Sequence, residues 1–433
     1  MSKHKLPVVE LRLDSIIGGG QAIGTLDSGK KTLVWGGLPG EKVEVQVTKK
    51  KSSLNEGYVT NVIEASAERV EPTDPDSYLS TSPWQIMSAA AEQHYKAALI
   101  EEAFELHDIV LPDPIDVYSD GNLYSYRNKV EFSWWWDNET SSLDLAFFRR
   151  GSKGKIPVNG TSLARPEINQ ASIRLRDLLR SKAAEARDLK TVIARSDQQG
   201  NVVLQLYVKR EDYAVFSNQE IADLNIQGFE LIYSNPKSPA SVITKRLQSW
   251  GEVSLTDTIL EVPFRYAVEG FFQINLPVYE QALKDMSQWV PSGKKTVDLY
   301  SGVGSIGLTI GGDDVTLVEI NQHAVREMNQ NIARLNRDGS ARAVLAPSEE
   351  ALEYINSDIT VIVDPPRAGL HDKVINRLLE TSPARIIYLS CNPVTQARDT
   401  ALLAEQYGVR HHRGYNFFPR TPHIEHLIVL DKK

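Results

Sequence analysis

The sequence predicts an α/β protein of several domains: a small β-barrel, a β-rich middle, and a doubly wound parallel sheet at the C-terminus. Three observations carry this reading. Five short, alternating apolar stretches fall within residues 8–70. Residues 115–268 are mostly strand-like. From residue 278 onward, short apolar strands alternate with helical stretches, as a parallel sheet with crossover helices requires. At 433 residues the chain is long enough for two or three domains and a large core. The expected divisions are 1–70, 71–268 and 269–433.

Composition narrows the class. Apolar residues at 41% and charged residues at 24% are ordinary for a globular protein. The single cysteine, Cys391, excludes an intramolecular disulfide and any four-cysteine metal or iron–sulfur site. The start, Met1 to Glu10, has no apolar core of signal-peptide length, and no run approaches the ~18 apolar residues of a membrane span. A cytoplasmic protein with no membrane partner is expected. The net charge of −8 gives no general pull on nucleic acid. Residues 1–70, however, hold ten Lys/Arg against eight Asp/Glu, so the remainder carries about −10. A local basic face is therefore compatible with an acidic chain.

In chain order, Val8–Leu13, Thr32–Trp35, Val43–Val47 and Gly57–Ile63 are four of the five stretches that read as strands, punctuated by glycines and by the Leu38-Pro39-Gly40-Glu41 turn. Five strands in so short a stretch suggest a closed barrel, which removes exposed edges. Lys49-Lys50-Lys51 reads as a hairpin tip, either a solvated loop or a phosphate contact. The Gly-rich segment, the Leu-Pro-Gly-Glu turn and Ser66–Pro72 resemble the TRAM domain, an OB-like RNA-binding barrel. Residues 72–82 read as a polar, proline-bearing linker. Residues 85–106 have helical periodicity. A helical insert is expected near 166–187. Aromatics alternate with cations at Tyr126-Arg127-Asn128-Lys129, Trp134–Trp136 and Phe147–Arg150. They read as a β-core with cationic rims, or as a platform for stacking bases.

Chemistry concentrates in the last third. Val297-Asp298-Leu299-Tyr300-Ser301-Gly302-Val303-Gly304-Ser305-Ile306-Gly307 is strand, glycine-rich turn and helix start, which lets backbone approach a nucleotide-like ligand. Glu319 closes the next strand, 17 residues after Gly302, where an acid can accept both ribose hydroxyls. Dinucleotides and S-adenosylmethionine (SAM) share this arrangement, and Asp298 before the loop leans towards SAM. Ile359–Val363 then ends in Asp364-Pro365-Pro366-Arg367, a rigid turn carrying a carboxylate at the sheet's C-terminal edge. Cys391 follows the apolar strand Ile386–Leu389 and precedes the abrupt Asn392-Pro393 turn, where open α/β sheets place chemistry. A buried structural thiol is the plain alternative.

The sequences Asp364-Pro-Pro-Arg-Ala-Gly-Leu370, Ser390-Cys-Asn-Pro393, Glu269-Gly-Phe-Phe-Gln-Ile-Asn275 and Phe418 to His426, in this order and behind a TRAM-like start, resemble the SAM-dependent RNA uridine-5-methyltransferases along essentially the whole chain. The resemblance implies a Rossmann-like class I methyltransferase domain at the C-terminus. It implies that Cys391 adds to carbon 6 of uracil and that Glu425 removes the carbon 5 proton. Gln273, Tyr300, Gly302, Gly304, Ser305, Glu319 and Asp364 would hold SAM, with Ser305 standing where relatives often carry Asn. Phe271, Phe272, Arg127 and Lys129 would meet the RNA. Many such relatives hold an iron–sulfur cluster on cysteines after the barrel. Here Leu79–Gln85 has none, so no cluster and no metal are expected, and packing must hold that stretch. An adenine contact from Ala346–Glu350 is doubtful. The implied substrate is a loop uridine of RNA, with 23S ribosomal RNA favoured over transfer RNA, and the implied state is a monomer. Rival readings are an RNA cytosine-5 methyltransferase, which usually works with two cysteines, a non-catalytic RNA-binding or ribosome-assembly factor, and a nicotinamide-dependent oxidoreductase resting on the glycine loop alone.

Overall fold

The computed structural model describes residues 6–152 and 154–433. The first five residues, part of the start read above, lie outside the described residues. The chain begins as a closed five-stranded barrel built from Val8–Ile17, Gln21–Thr25, Lys31–Trp35, Lys42–Lys50 and Leu54–Glu64, with the last two strands exchanged in spatial order. Leu11, Leu13, Ala22, Val34, Val43 and Val45 fill it. Gly24 is required by close strand approach, since a Cβ there would lie 2.2 Å from the Arg12 carbonyl oxygen. The residues that carried the barrel resemblance meet in space. The buried Glu41 carboxylate accepts from the backbone N–H of Leu38 (2.8 Å) and Ser66 (3.1 Å) and from Arg69 Nε (2.5 Å) and Nη2 (2.7 Å). The expected lysine tip is shorter than read: the strand runs through Lys50, and Lys51 pairs with Glu56 at 2.7 Å.

The stretch read as a linker is ordered. Asp74 accepts from Ser162 N–H (3.0 Å), Ser162 Oγ (2.8 Å) and Thr161 Oγ1 (3.1 Å), and Gln85 donates to Ser82 Oγ (2.7 Å). The helix starts at Ala89, four residues later than its periodicity suggested, because Ser88 caps it by accepting from Ala91 N–H. Trp84 instead lies buried in a turn, its Nε1 donating to the Gly20 carbonyl.

The middle of the chain forms a seven-stranded sheet whose central members are Lys129–Asp137, Leu189–Ser196, Val202–Val208 and Gly228–Tyr233. Helix Pro166–Ser181, shorter than expected, packs Ile168, Leu175 and Leu179 onto one face. The other face contributes Ile193, Val203, Tyr207 and Ile232 to a core shared with the C-terminal region. The aromatic–cationic clusters serve packing more than display. Trp134 is buried, Phe147 packs on Phe132, and Arg150 lies over the barrel's Trp35 at 4.2 Å.

The last sheet has eight strands in the spatial order Ala341–Leu345, Val315–Glu319, Lys295–Leu299, Ile359–Val363, Arg385–Ser390, Glu425–Lys432, Tyr407–Tyr415 and Val117–Tyr118. The first five are parallel, and the strand Glu425–Lys432 returns antiparallel against Arg385–Ser390. Residues 117–118, from the middle of the sequence, thus complete the C-terminal sheet. Helix Ala89–Glu105 also packs there through a buried polar knot. Glu92 accepts from Asn416 Nδ2 (2.9 Å), Arg420 N–H (3.0 Å) and Lys96 Nζ (3.0 Å). Among the described residues, no helix is long and apolar enough to cross a membrane.

Removing one member of a buried charge cluster strands the others in a low-dielectric interior. Glu92→Ala should therefore lower unfolding free energy by about 3–5 kcal/mol in chemical denaturation. A loss under about 1 kcal/mol would show that the knot is not structurally decisive.

Candidate active site

Register alone explains how the chemistry assembles. Leu299, Val363 and Tyr388 are paired neighbours across three parallel strands. The residues just beyond the strand ends, Tyr300, Asp364 and Cys391, therefore gather at one sheet edge. In the antiparallel ladder Ser390 faces His426. One step forward from Ser390 and one step back from His426 set Cys391 beside Glu425. The two turns are tied together: Asn392 Nδ2 donates to the Arg367 carbonyl at 2.8 Å, and Thr395 Oγ1 does so at 3.2 Å.

These groups line one cleft of about 1680 Å³ with Gln273, Gly302, Glu319, Phe271 and Arg127. Tyr300 has φ +64°, an uncommon value for a non-glycine residue, and it turns the chain into the glycine loop. Gly302 has φ +57° with open space where a Cβ would project, and its N–H donates to Glu319 Oε2 at 2.9 Å. The other Glu319 oxygen accepts from Asn321 N–H at 2.7 Å. Both oxygens are fixed by one backbone donor and keep lone pairs for further donors. The exposed Ile320 and the half-buried Pro347 offer apolar surface beside Glu319. A carboxylate so held, an open glycine loop and an apolar pair fit the ribose and adenine of an adenosyl group.

The loop carrying Phe271 and Gln273 is clamped from behind. Arg195 is fully buried and donates to the carbonyls of Val268 (3.2 Å), Gly270 (2.8 Å) and Phe272 (2.9 Å), while lying over the Tyr266 ring at 4.5 Å. Asn128 Nδ2 adds a bond to the Gln273 carbonyl at 2.9 Å.

Four sequence expectations change in this light. Phe272 does not line the cleft. Successive residues of an extended loop point oppositely, so Phe271 is 72% exposed while Phe272 is 4% exposed and stacks on Tyr266 at 4.0 Å. Lys129 turns inward and donates to the Glu269 carbonyl at 3.1 Å, and burial pushes its ammonium down to about 8. Ser305 bonds Tyr279 Oη at 2.8 Å behind the cleft wall. Gly304 is needed for packing: with φ +88°, a Cβ there would meet Leu308 at 2.9 Å.

Electrostatically the site is dominated by buried acids. Burial raises Asp364 to about 7. Burial and then the Asp364 charge raise Glu425 well above the carboxylate range, and its Oε2 has no partner among the described residues. Burial, then Glu425 and Asp364, push the Cys391 thiol up to about 11, and Arg367 opposes them. Arg367 Nη2 contacts His423 Nδ1 at 3.2 Å, and His423 is held down at about 4 by its place in the cleft and by Arg367. At neutral pH the free site therefore holds a thiol and a neutral imidazole, beside two carboxyls that give up their protons less readily than free ones and with Arg367 as the adjoining cation. Sequence reasoning passed over Ile320, Arg367 and His423 as actors, although the last two sit inside motifs it singled out. It doubted Ala346–Glu350, yet Pro347, Ser348 and Glu349 line the cleft.

A family model for tRNA (uracil-5-)-methyltransferase matches residues 94–433. The chain belongs to that family. It is accordingly an RNA methyltransferase. Two curated relatives, uncharacterized RNA methyltransferases of Enterococcus faecalis and Lactobacillus johnsonii, are each 28% identical, covering 99% of this chain and 98% and 99% of their own lengths. Among solved structures, a tRNA (uracil-54, C5)-methyltransferase from Pyrococcus abyssi, in complex with S-adenosyl-L-homocysteine, is 21% identical. It superposes with a TM-score of 0.79 over 98% of this chain and 100% of that one. The fold is thus that of this methyltransferase.

A thiol held up by burial and carboxylates reacts slowly, because the thiolate is the nucleophile. With Cys391 as the only cysteine, iodoacetamide labelling of the free protein should accelerate with pH through about pH 9 without levelling. Arg367→Met should slow it further at every pH by removing the cation that favours the thiolate. A plateau near the ordinary thiol value of about 8.5 would refute this picture.

Proposed function

We propose that the protein transfers a methyl group to carbon 5 of a uridine in an RNA loop, with SAM as donor and a transient bond between Cys391 Sγ and carbon 6 of the base. The observation that carries this is the pairing of the chain's one thiol, across the Ser390–His426 step, with a buried carboxylate whose Oε2 has no partner among the described residues, beside a cleft that fits an adenosyl group. Glu319 would hold the ribose hydroxyls, Tyr300, Gly302 and Gln273 would enclose the adenosyl group, and Asp364 would face its reacting end. Phe271, exposed at the mouth, and Arg127 would meet the base turned out of the RNA. The division at residues 70 and 268 belongs to the same proposal, with the barrel and the middle sheet serving RNA binding.

Carbon 5 of uracil is a poor nucleophile. Addition of the Cys391 thiolate to carbon 6 shifts the 5,6 π pair onto carbon 5 and oxygen 4 as an enolate. The thiol proton must leave as the base enters, and Asp364, at about 7, is poised to accept it. When bound, SAM supplies an electrophilic methyl group. Glu425 then takes the carbon 5 proton, the freed pair restores the 5,6 double bond, and the sulfur leaves as thiolate. The burial that raises Glu425 makes it a stronger base once ionised.

The RNA is a ribosomal or transfer RNA loop. The barrel gave the sequence its lean towards large-subunit ribosomal RNA. The likeness to the Pyrococcus abyssi tRNA enzyme runs over 98% of this chain, so the barrel alone carries no preference, and a transfer RNA loop is the second reading.

With 5-fluorouridine-substituted ribosomal and transfer RNAs plus SAM, a denaturation-resistant adduct should form on Cys391, because fluorine at carbon 5 cannot leave as a proton. Cys391→Ala should give no adduct. Glu425→Gln should trap methylated adduct even on ordinary uridine and lower kcat by ~10²–10⁴-fold. Methylation persisting in Cys391→Ala would overturn the mechanism, and absence of product on every RNA would favour a non-catalytic RNA-binding role.

A further inference from the structure

The cleft is larger than the ~300–1,000 Å³ that holds one small ligand. Beyond Phe271 it continues over the middle sheet, and the wall there is built unusually. Ile193, Gln205, Glu230 and Ser249 are successive register partners across four strands, so they share one face. Strand Val202–Val208 is buried along its whole length, and Gln205 is its one amide or charged side chain. Glu230, only 2% exposed, is a carboxylate in a sheet interior. Burying both costs free energy that an apolar pair would not.

The cost is offset by a closed network. Gln205 Nε2 donates to Glu230 Oε2 (2.6 Å) and to Glu269 Oε2 (2.8 Å), while Tyr207 Oη donates to Gln205 Oε1 (2.9 Å). Arg246 Nε donates to Glu230 Oε1 and its Nη2 to Glu269 Oε1, both at 2.7 Å. The result is a guanidinium and a carboxylate held side by side at the cleft surface. Arg246 Nη1 has no hydrogen-bond partner among the described residues, and the Glu269 side chain is 30% exposed with lone pairs to spare. Ile243 and Val253 supply apolar wall beside them.

Charge decides between two kinds of RNA contact. Glu131, Glu230 and Glu269 are matched by Arg246, Lys129 and Arg195, and the last two spend their N–H groups on loop carbonyls. The cluster is neutral overall, with no surplus cation for a phosphate. A neutral base edge carrying donors and acceptors suits it better. Guanine presents two adjacent donors, N1–H and the N2 amino group, to a carboxylate, and oxygen 6 to an arginine. Adenine, cytosine and uracil lack the paired donors.

Building on the uridine-methylation reading, we propose that Glu269 and Arg246, fixed by Gln205 and Glu230, form a subsite for an unpaired guanine flanking the target uridine. The loop Glu269–Gln273 joins the two sites, so neighbouring nucleotides can occupy both. The residues thereby set sequence preference, at a distance from the reacting carbon.

The test is methylation of a stem-loop RNA library with one loop uridine and randomised flanking loop positions, followed by sequencing of the methylated products. Guanosine should be enriched at one flanking position. Inosine there, which lacks only the N2 amino group, should lower kcat/KM about tenfold with wild-type protein. Glu269→Gln should bring the guanosine-to-inosine ratio close to one. Product without any flanking preference would overturn the subsite and leave uridine methylation standing. Product with unchanged preference but a shallower salt dependence in Arg246→Met would replace it with a phosphate contact. No product from any library member would remove the underlying reading and the subsite with it. The inosine comparison needs no variant, so a misfolded Glu269→Gln leaves the proposal falsifiable.

Discussion

The pairing of Ser390 with His426 is the constraint on which the site depends. Parallel strands can only line up residues at one edge of a sheet. To bring a second reactive group against Cys391 from a distant part of the chain, the final strand must return antiparallel along Arg385–Ser390 and begin at Glu425. Gln396, buried in the helix after Cys391, locks that arrangement by donating to both the Tyr388 carbonyl (3.0 Å) and the His426 carbonyl (2.9 Å). The segment leading into the strand is fixed from outside the sheet by the Glu92 knot, which holds Asn416 and Arg420. A helix from the first quarter of the chain therefore sets the approach of the buried Glu425 carboxylate near its end.

A second clamp works by the same means. Among the described residues Arg195 has no carboxylate bonded to it; its Nη1 and Nη2 donate to three carbonyls of the loop that carries Phe271 and Gln273, while its Nε has no partner there. A buried charge that can be satisfied only in one loop conformation enforces that conformation, because any rearrangement exposes its desolvation cost. The middle sheet supplies Arg195, and the loop opens the C-terminal region. The cleft thus has one rigid floor although its walls come from parts of the chain far apart in sequence.

Much of this was legible beforehand, and the physical reason differs by element. The barrel, the crossover sheet, the glycine loop and the acid closing the next strand all announce themselves by local pattern, since each depends on residues close in sequence. Cys391 and Asp364 were legible as strand-end residues for the same reason. Glu425 was not: it is an unexceptional strand residue until the antiparallel return sets it against Cys391, and only the family resemblance pointed to it. Phe272 and Lys129 were misread because both sit in motifs with RNA-like chemistry, while the loop's alternation turned one into the core and burial turned the other onto carbonyls. The linker reading failed because proline and polar residues also suit an ordered segment when its carboxylate, Asp74, finds partners 87–88 residues away.

The acidity of the cleft has a consequence for when the chemistry can start. Three acidic groups, Cys391, Asp364 and Glu425, share one partly dry space, and each charge raises the cost of the next. In the free site the Cys391 thiol therefore rests protonated. In the proposed chemistry an entering uracil would exclude more water, which strengthens every charge interaction, and a bound sulfonium would add positive charge beside three crowded acids. Ionisation of the thiol would then be favoured with both partners in place. A lone exposed cysteine with an ordinary pKa would be open to oxidation and adventitious alkylation at all times. Raising the thiol pKa by burial and by neighbouring carboxylates lowers reactivity in the empty site, and in the proposed chemistry would confine it to the loaded one.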